Sequence, residues 1–373
     1  MKKVAKVAII LNSAWQGYNF RLNLARELKN INYDVSFLTV EDGDYSERLK
    51  NEFSFYQVDF NAKSINPIED LKACFTLYKI LKKIKPDVVL NFTIKPNIYG
   101  AIVSRLLKIP SINNITGLGT VFIKKSLITT LVKLLYRVSI SCSSFTFFQN
   151  ADDQQFFLDE NLVTTNKSYI LPGSGVDTKK FAPQGKKNWI TFRFLMVARL
   201  IRDKGIYEFI EAAKLMQDDT VEFWILGERG VLNKTAIGNE EITNLSKQKV
   251  VNLYNKTDDV KSFLDNVDCV VLPSYREGSP RSIMEASSVE LPVIVSDVPG
   301  CRQVVDDNIT GLYCKVRDSQ DLMSKMKIMM KMSVNDRKKM GQMGRQKMVK
   351  NYDESIVIEN YKQKIIEILA KNI

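Results

Sequence analysis

Residues 268–296 place the tightest limit on what this chain can fold into. The stretch opens with an apolar run, Cys269 to Leu272, that suits a parallel strand buried on both faces. A turn follows from Pro273 to Gly278, and then the chemistry of a helix start. Ser279 is expected to cap. Pro280 suits the first helical position, where its missing N–H would be unpaired anyway. The helix is expected to run to about Val289, and Pro292 opens a second buried strand, Val293 to Val295. Glu277 then lies at the mouth of a helix N-terminus whose free N–H groups attract an anion, with Glu285 about two turns inside, either facing a ligand or solvated and paired with Arg281 one turn back.

Composition narrows the chemistry. At 373 residues the chain exceeds one ordinary core, and two domains are expected. The net charge of +12 is spread along the chain with acids interleaved, and no aromatic-plus-basic motif stands out. A nucleic-acid partner is therefore not expected, whereas anionic substrates and an anionic membrane surface fit. The odd set of cysteines (Cys74, Cys142, Cys269, Cys301, Cys314) has no Cys-x-x-Cys pair, as expected of reduced thiols in a cytoplasmic protein. Met1-Lys2-Lys3 leads directly into a strand, and the apolar stretch Ser126 to Phe148 is broken by Lys133 and Arg137, so neither a signal nor a spanning helix is expected. The chain has no histidine. That removes Ser–His–Asp and Cys–His nucleophile systems, His-based zinc sites and any imidazole base, leaving carboxylates, Lys and Arg, hydroxyls and backbone N–H groups.

Along the chain, Val4 to Leu11 reads as a buried strand, followed by the loop Asn12–Gly17 and a helix from Tyr18 to Asn30. Gly17 would let the backbone approach a phosphate at that helix start, although the three spaced glycines of a dinucleotide fold are missing. Arg21 is either a partner for an acidic ligand or a solvated side chain. A strand from Asp34 to Val40 ends in Glu41-Asp42-Gly43-Asp44, where Asp-Gly favours a turn over a metal-holding Asp-x-Asp, so no metal site is expected. The helix from about Pro67 to Lys85 is basic along one side (Lys72, Lys79, Lys82, Lys83), either a solvated face or a contact for anionic lipid. The stretch Phe122 to Ile140, with Lys124, Lys125, Lys133 and Arg137, is amphipathic and suits either an interface or a core-facing helix. Strand Asp87–Phe92 runs into Thr93–Gly100, and a strand near Ile112 enters Asn113–Gly119; both loops sit at carboxyl ends, where parallel sheets bind ligands. After a Pro- and Gly-rich linker around 171–188, strand Phe192–Val197 leads into Ala198–Gly205. There Arg199 and Lys204 either grip a diphosphate, as two cations in a strand-end loop can, or are surface charges.

Several of these stretches resemble glycosyltransferase family 4. They are the Glu277-Gly278-Ser279-Pro280 turn with Glu285 eight residues after Glu277, the Leu291–Ile294 strand, Arg199-Leu200…Lys204-Gly205, and the linker Gly175-Val176-Asp177-Thr178…Phe181-Ala182-Pro183. The resemblance implies an α/β fold of two Rossmann-like parallel-sheet domains facing a cleft, the GT-B architecture. Residues 1–175 would form the acceptor domain and 176–351 the nucleotide-sugar domain, with a helix at about 352–373 crossing back to the first. It further implies that the Gly278-Ser279-Pro280-Arg281 backbone meets the donor diphosphate, Glu277 the donor sugar, Glu285 the ribose, and the Tyr254-Asn255 turn the base. Relatives often have Gly at Asn255, and Asn tolerates the same left-handed backbone. Segment 87–123 is similar to members that build bacterial surface oligosaccharides on undecaprenyl diphosphate, including N-acetylgalactosaminyl transferases. By that likeness Lys95 would meet the acceptor diphosphate (or remain an exposed loop lysine) and Asn97 an acceptor sugar. Thr116 stands near where other members place a histidine.

The expected activity is retaining, metal-independent transfer of a hexose or N-acetylhexosamine from a UDP-sugar donor to a lipid-linked or oligosaccharide acceptor. The enzyme would be peripheral on the inner face of the cytoplasmic membrane. Arg199, Lys204 and Glu277 would be catalytic, with no cofactor. Two rival readings are a nucleotide-sugar epimerase of the same fold and a non-catalytic nucleotide-sugar- or lipid-binding subunit.

Overall fold

The computed structural model describes residues 4–61, 66–117, 127–185, 190–216, 218–229, 235–238, 240–242, 244 and 250–371. The Met1–Lys3 start, Leu118 and Gly119, Lys124 and Lys125, and the 186–188 part of the linker lie outside them. The chain divides into two compact units, residues 1–174 with 357–373, and residues 175–356.

Unit 1 is a seven-stranded sheet of β1 (Lys6–Ile10), β2 (Asp34–Thr39), β3 (Ser54–Gln57), β4 (Val88–Phe92), β5 (Ser111–Ile115), β6 (Phe145–Phe148) and β7 (Ser168–Ile170). All pairings are parallel, in the order β3-β2-β1-β4-β5-β6-β7. Alternate residues of β1 go to opposite faces. Val7 and Ile9 pack with Leu24, Ala25 and Leu28 of α1 (Ala14–Asn30), whereas Ala8 and Ile10 meet Leu77 and Leu81 of a helix on the other side. That period of two, with both faces buried, is why the strand reads as a continuous apolar run. After α2 (Asp44–Lys50), helices α3 (Pro67–Ile84), α4 (Ala101–Leu106, continuing a π-helical turn Pro96–Gly100), α5 (Leu127–Cys142) and α6 (Ala151–Asp159) complete the described helices before the linker. The C-terminal helix, Glu354–Ala370, brings Val357, Tyr361, Ile365 and Ile368 into the core on the α1 side.

α1 begins at Ala14 rather than Tyr18, so most of the anticipated loop is helix. The cause is remote in sequence: Asp42 accepts from the Trp15 N–H (2.8 Å) and the Ser13 hydroxyl (3.0 Å), satisfying the first turn. Asp42 is thereby committed, Asp44 pairs with Arg48 (2.6 Å), and Gly43 (φ +75°) starts α2. β3, β7 and α2 were not anticipated. β3 is a half-exposed edge strand without an apolar run, and β7 is three residues long.

Unit 2 is a six-stranded parallel sheet of β8 (Phe192–Val197), β9 (Val221–Gly227), β10 (Asn252–Asn255), β11 (Cys269–Leu272), β12 (Val293–Ser296) and β13 (Gly311–Cys314). Its order is β10-β9-β8-β11-β12-β13. Its described helices are α7 (Ile206–Lys214), α8 (Val260–Leu264), α9 (Arg281–Ser288), α10 (Pro299–Val304), α11 (Ser319–Lys331) and α12 (Val334–Lys347). β11 and β12 are buried at every position, as the apolar runs at 269–272 and 293–295 require. Among the described residues no helix is long and apolar enough to cross a membrane.

Candidate functional site

In both sheets the chain lays down strands in one direction and then restarts on the other side of the first strand. The two loops that diverge at such a switch point leave a crevice at the carboxyl ends of the strands. In unit 2 the switch falls between β8 and β11, which are direct neighbours. The loop after β8 carries Arg199 and Lys204, and the loop after β11 carries Glu277. Their ends meet, with Lys204 Nζ 2.5 Å from Glu277 Oε1 and both side chains largely buried.

Glycine permits this meeting. Gly205 has φ +76°, and a Cβ there would sit 2.1 Å from the Pro273 carbonyl oxygen, so only glycine lets the β8 loop lie against the end of β11. The Tyr275 N–H donates to the Asp203 carbonyl (2.9 Å) and fixes the approach. From the other side, a Cβ on Gly300 in α10 would lie 2.5 Å from the Gly278 carbonyl oxygen and 2.6 Å from that of Glu277. The Glu277–Gly278 turn is thus held between the start of α7 and the start of α10. Sequence reasoning missed α10 and both glycine roles. A glycine just after a strand-end lysine and one just after a Pro were the available signals.

The α9 start differs from expectation. Pro280, not Ser279, is the N-cap, and its side chain offers no acceptor; the Ser279 hydroxyl lies 4.0 Å from Met284 Sδ. α9 ends at Ser288. The Ile283 and Met284 N–H groups return to the Pro280 carbonyl (3.1 and 3.2 Å), and the positive end of the helix beside the Glu277–Gly278 turn suits an anion near Gly278, Ser279, Pro280 and Arg281. One turn along, Arg281 Nε lies 3.0 Å from Glu285 Oε1. This pair is nearly enclosed rather than solvated, and burial pushes the Glu285 carboxyl above its ordinary range while Arg281 and Lys180 pull it back. Arg199 is exposed and, among the described residues, joins neither pair. At the floor, Ser274 is fully buried with a hydroxyl that has no partner among the described residues, a further polar group that sequence reasoning missed.

Tyr254 lies on the edge strand β10, its ring 5.2 Å from Trp224 and 5.0 Å from Phe263. Asn255 does not adopt a left-handed turn. It continues the strand, paired with Gly227.

In unit 1 the switch falls between β1 and β4. Gly17 sits inside α1, its N–H bonded to the Ser13 carbonyl (3.3 Å) and its Cα among Leu11, Phe37 and Leu49, so its small size serves packing rather than a phosphate. Arg21 is buried, its guanidinium 4.2 Å from the centre of the Phe92 ring across the switch. Lys95 is neither free nor exposed: it is ion-paired with Asp70, which also accepts from the Tyr99 hydroxyl (2.7 Å). Asn97 is buried, donating to the Asn114 carbonyl (2.7 Å) and accepting from its N–H (3.0 Å), so it ties the π-turn to β5 rather than reaching for a sugar. Thr116 follows β5, half-buried. Two groups not anticipated lie at this switch. β1 and β4 last pair at Ile10↔Asn91, and Asn12 and Thr93 each follow two residues later, in the loops leaving these neighbouring strands. Asn12 Oδ1 and Thr93 Oγ1 are both buried without a partner among the described residues, and Thr93 holds φ +72°, an outlier for a β-branched residue.

Among the described residues no cluster of three or more His, Cys, Asp or Glu groups could hold a metal ion.

Comparison with known proteins gives this geometry a context. Residues 177–347 match the family model "Glycosyl transferases group 1", and residues 6–150 match "Glycosyl transferase 4-like". A Campylobacter jejuni protein named N,N'-diacetylbacillosaminyl-diphospho-undecaprenol alpha-1,3-N-acetylgalactosaminyltransferase is 28% identical, covering 95% of this chain and 96% of that one. An Escherichia coli UDP-Gal:alpha-D-GlcNAc-diphosphoundecaprenol alpha-1,3-galactosyltransferase is 29% identical over 78% of each. Among solved structures, Anabaena HepE in complex with UDP and glucose superposes with a TM-score of 0.78 at 15% identity, over 97% of this chain and 100% of that one. Thermosynechococcus elongatus sucrose-phosphate synthase gives 0.84 at 14% identity, over 98% of this chain and 100% of that one. One family model falls on each sheet unit, and the likeness in fold runs the length of the chain: this protein is a glycosyltransferase of the GT-B fold, in the group 1 and family 4-like class.

Proposed function

We propose that the protein transfers a sugar, a galactose-type hexose or its N-acetylated form, from a UDP-sugar to a saccharide carried on undecaprenyl diphosphate. The step would belong to bacterial surface-polysaccharide or glycan assembly, carried out at the inner face of the cytoplasmic membrane. The names of the C. jejuni and E. coli relatives support the lipid carrier, and the UDP of HepE supports the nucleotide. The observation that carries the reading is the Lys204–Glu277 pair at the switch point of unit 2, beside the N-terminus of α9.

The chemistry follows from those groups. The bond between the anomeric carbon and the β-phosphate oxygen breaks, and negative charge collects on the departing diphosphate. Lys204, Arg199 and the α9 amides stabilise that charge without needing a divalent cation. Glu277 orients the sugar and steadies positive character at its anomeric carbon. The acceptor hydroxyl attacks from the face the diphosphate leaves, its proton passes to a phosphate oxygen, and configuration is retained. Glu285 accepts from the ribose hydroxyls, as a carboxylate partner of a vicinal diol does. Asn12 and Thr93, with unpartnered polar atoms, are candidates on unit 1 for the acceptor saccharide.

The test incubates the full chain with a panel of UDP-sugars and a diphosphate-lipid saccharide, reading UDP release and product linkage with and without chelator. Acceptor-dependent UDP release that survives the chelator, with an α-linked product from an α-linked donor, is expected. Conversion of donor to its epimer without acceptor, or no turnover with any donor, would replace this reading with one of its rivals.

A further inference from the structure

Helices α3, α4 and α5 form one layer on a face of the unit 1 sheet, α4 packing against both neighbours. Their inner stripes are buried: Ala73, Leu77 and Leu81 on α3, Tyr136 and Ile140 on α5. Their outer sides are not uniformly polar, as a solvated helix face would be. Ile68, Leu71 and Phe75 on α3, Leu106 on α4, and Leu131 and Leu134 on α5 are each between 55% and 71% exposed. The spacing on α3 (68, 71, 75) and α5 (131, 134) puts each set along one side of its helix. Isolated exposed leucines need no explanation, but large apolar side chains on three adjoining helices are a surface awaiting something.

The charge around them says what. Lys72, Lys79, Lys82 and Lys83 on α3, Arg105 on α4 and Arg137 on α5 are all exposed. The three helices carry only two carboxylates, Glu69 and Asp70. Both are engaged, Asp70 by Lys95 and Tyr99, Glu69 by Asn61 and Asn66. Lys79 Nζ stands 4.3 Å from the centre of the Phe75 ring, so one cation rides directly over the apolar stripe. Apolar side chains interleaved with long cationic ones match the boundary between acyl chains and anionic headgroups.

Position adds a reason. Helices of a parallel sheet run back against the strands, so the N-terminal halves of α3 and α5, which bear Ile68, Leu71, Phe75, Leu131 and Leu134, lie toward the carboxyl edge. The Asp70–Lys95 pair joins α3 to the loop after β4 at that edge. We infer that the outer face of α3, α4 and α5 docks unit 1 onto an anionic lipid bilayer, with Ile68, Leu71 and Phe75 entering the headgroup–acyl boundary and the lysines resting on lipid phosphates. The use of this docking rests on the lipid-linked acceptor proposed above; the docking itself does not.

The full chain is sedimented with phosphatidylcholine vesicles, and with the same vesicles doped with phosphatidylglycerol, at low and high salt. Binding to the anionic vesicles alone, weakened by salt, is expected. The Leu71→Glu/Phe75→Glu variant should lose more than about tenfold of that binding, because each large apolar side chain contributes to burial. Lys79→Gln/Lys82→Gln should lose about fivefold per charge removed. These side chains are exposed, so melting midpoints should stay unchanged, as should turnover on a water-soluble short-chain diphosphate acceptor. Wild-type protein that ignores anionic vesicles, or variants that bind as well as wild type, would overturn the docking face. So would sedimentation velocity showing wild-type dimers that Leu71→Glu/Phe75→Glu dissolves, since the face would then be a contact between copies. Absence of turnover with every donor, alongside intact vesicle binding, would remove the proposed reaction and leave the docking standing.

Discussion

Lys204 and Glu277 neutralise one another at 2.5 Å, and each half of the pair answers a different measurement. Lys204→Ala removes the cation proposed to stabilise the departing diphosphate, which should lower kcat about 100- to 1000-fold. It also leaves a carboxylate, 9% exposed, without its partner, which should cost on the order of 3 kcal/mol in denaturant stability. Adding Glu277→Ala should return most of that stability while turnover stays orders of magnitude down. A Lys204→Ala enzyme with near-normal kcat would end the charge-stabilisation account. Glu285 supports a prediction in pH. Burial raises its carboxyl above the ordinary 4.5, so the folded chain holds this proton more tightly than the unfolded one. Its contribution therefore favours folding at low pH and is lost as pH rises through the raised value. The ribose contact proposed for Glu285 needs the ionised form, so UDP affinity should fall as pH drops through that same value, above the range of an ordinary glutamate. Glu285→Gln should flatten this profile, as calorimetric titration of UDP against pH would show; an unaltered slope would free Glu285 from the ribose.

At the scale of elements, what could be read from sequence depended on how local its cause was. The apolar runs of β1, β11 and β12, the Pro67 start of α3 and the strand-end position of Lys204 follow from neighbours in the chain, and all were legible. The start of α1 was not, because Asp42 supplies its cap from the end of β2. Nor were the roles of Lys95, Asn97 and Arg21, whose partners Asp70, Asn114 and Phe92 lie 17 or more positions away. Gly300 belongs to this second group. Its Cβ would strike the carbonyl oxygens of Glu277 and Gly278, backbone atoms that cannot rotate aside. Gly300→Ala should therefore push the Glu277–Gly278 turn out of place while the buried sheet around it keeps the fold. A displacement of about 1 Å is worth roughly hundredfold in turnover. Nucleotide release beside a thermal melt separates the two effects: lost activity with an unchanged melt is expected, and full activity would mean the turn is not held by α10.

At the scale of the whole chain, the two units differ in how they are cut from sequence. Unit 2 is one continuous segment, 175–356, while unit 1 needs the distant 357–373 to complete its core. There Tyr361 is wholly buried, its ring 4.8 Å from Phe147 and its hydroxyl accepting from Asn114 Nδ2 at 2.5 Å. Losing the helix would expose Phe147 and Phe92 and strand the Asn114 amide, each a destabilisation of about 1–3 kcal/mol, against a typical domain stability of about 5–15 kcal/mol. The expectation is asymmetric. A fragment of residues 175–356 should fold alone, melt cooperatively and bind UDP, whereas residues 1–174 should remain aggregated or partly folded until a peptide of residues 354–373 is added. Circular dichroism melts with isothermal titration of UDP would read both. Cooperative melting of 1–174 without the peptide would show the closing helix to be dispensable to its own sheet, and failure of 175–356 to bind UDP would mean that the paired charges after β8 and β11 do not suffice to hold the donor.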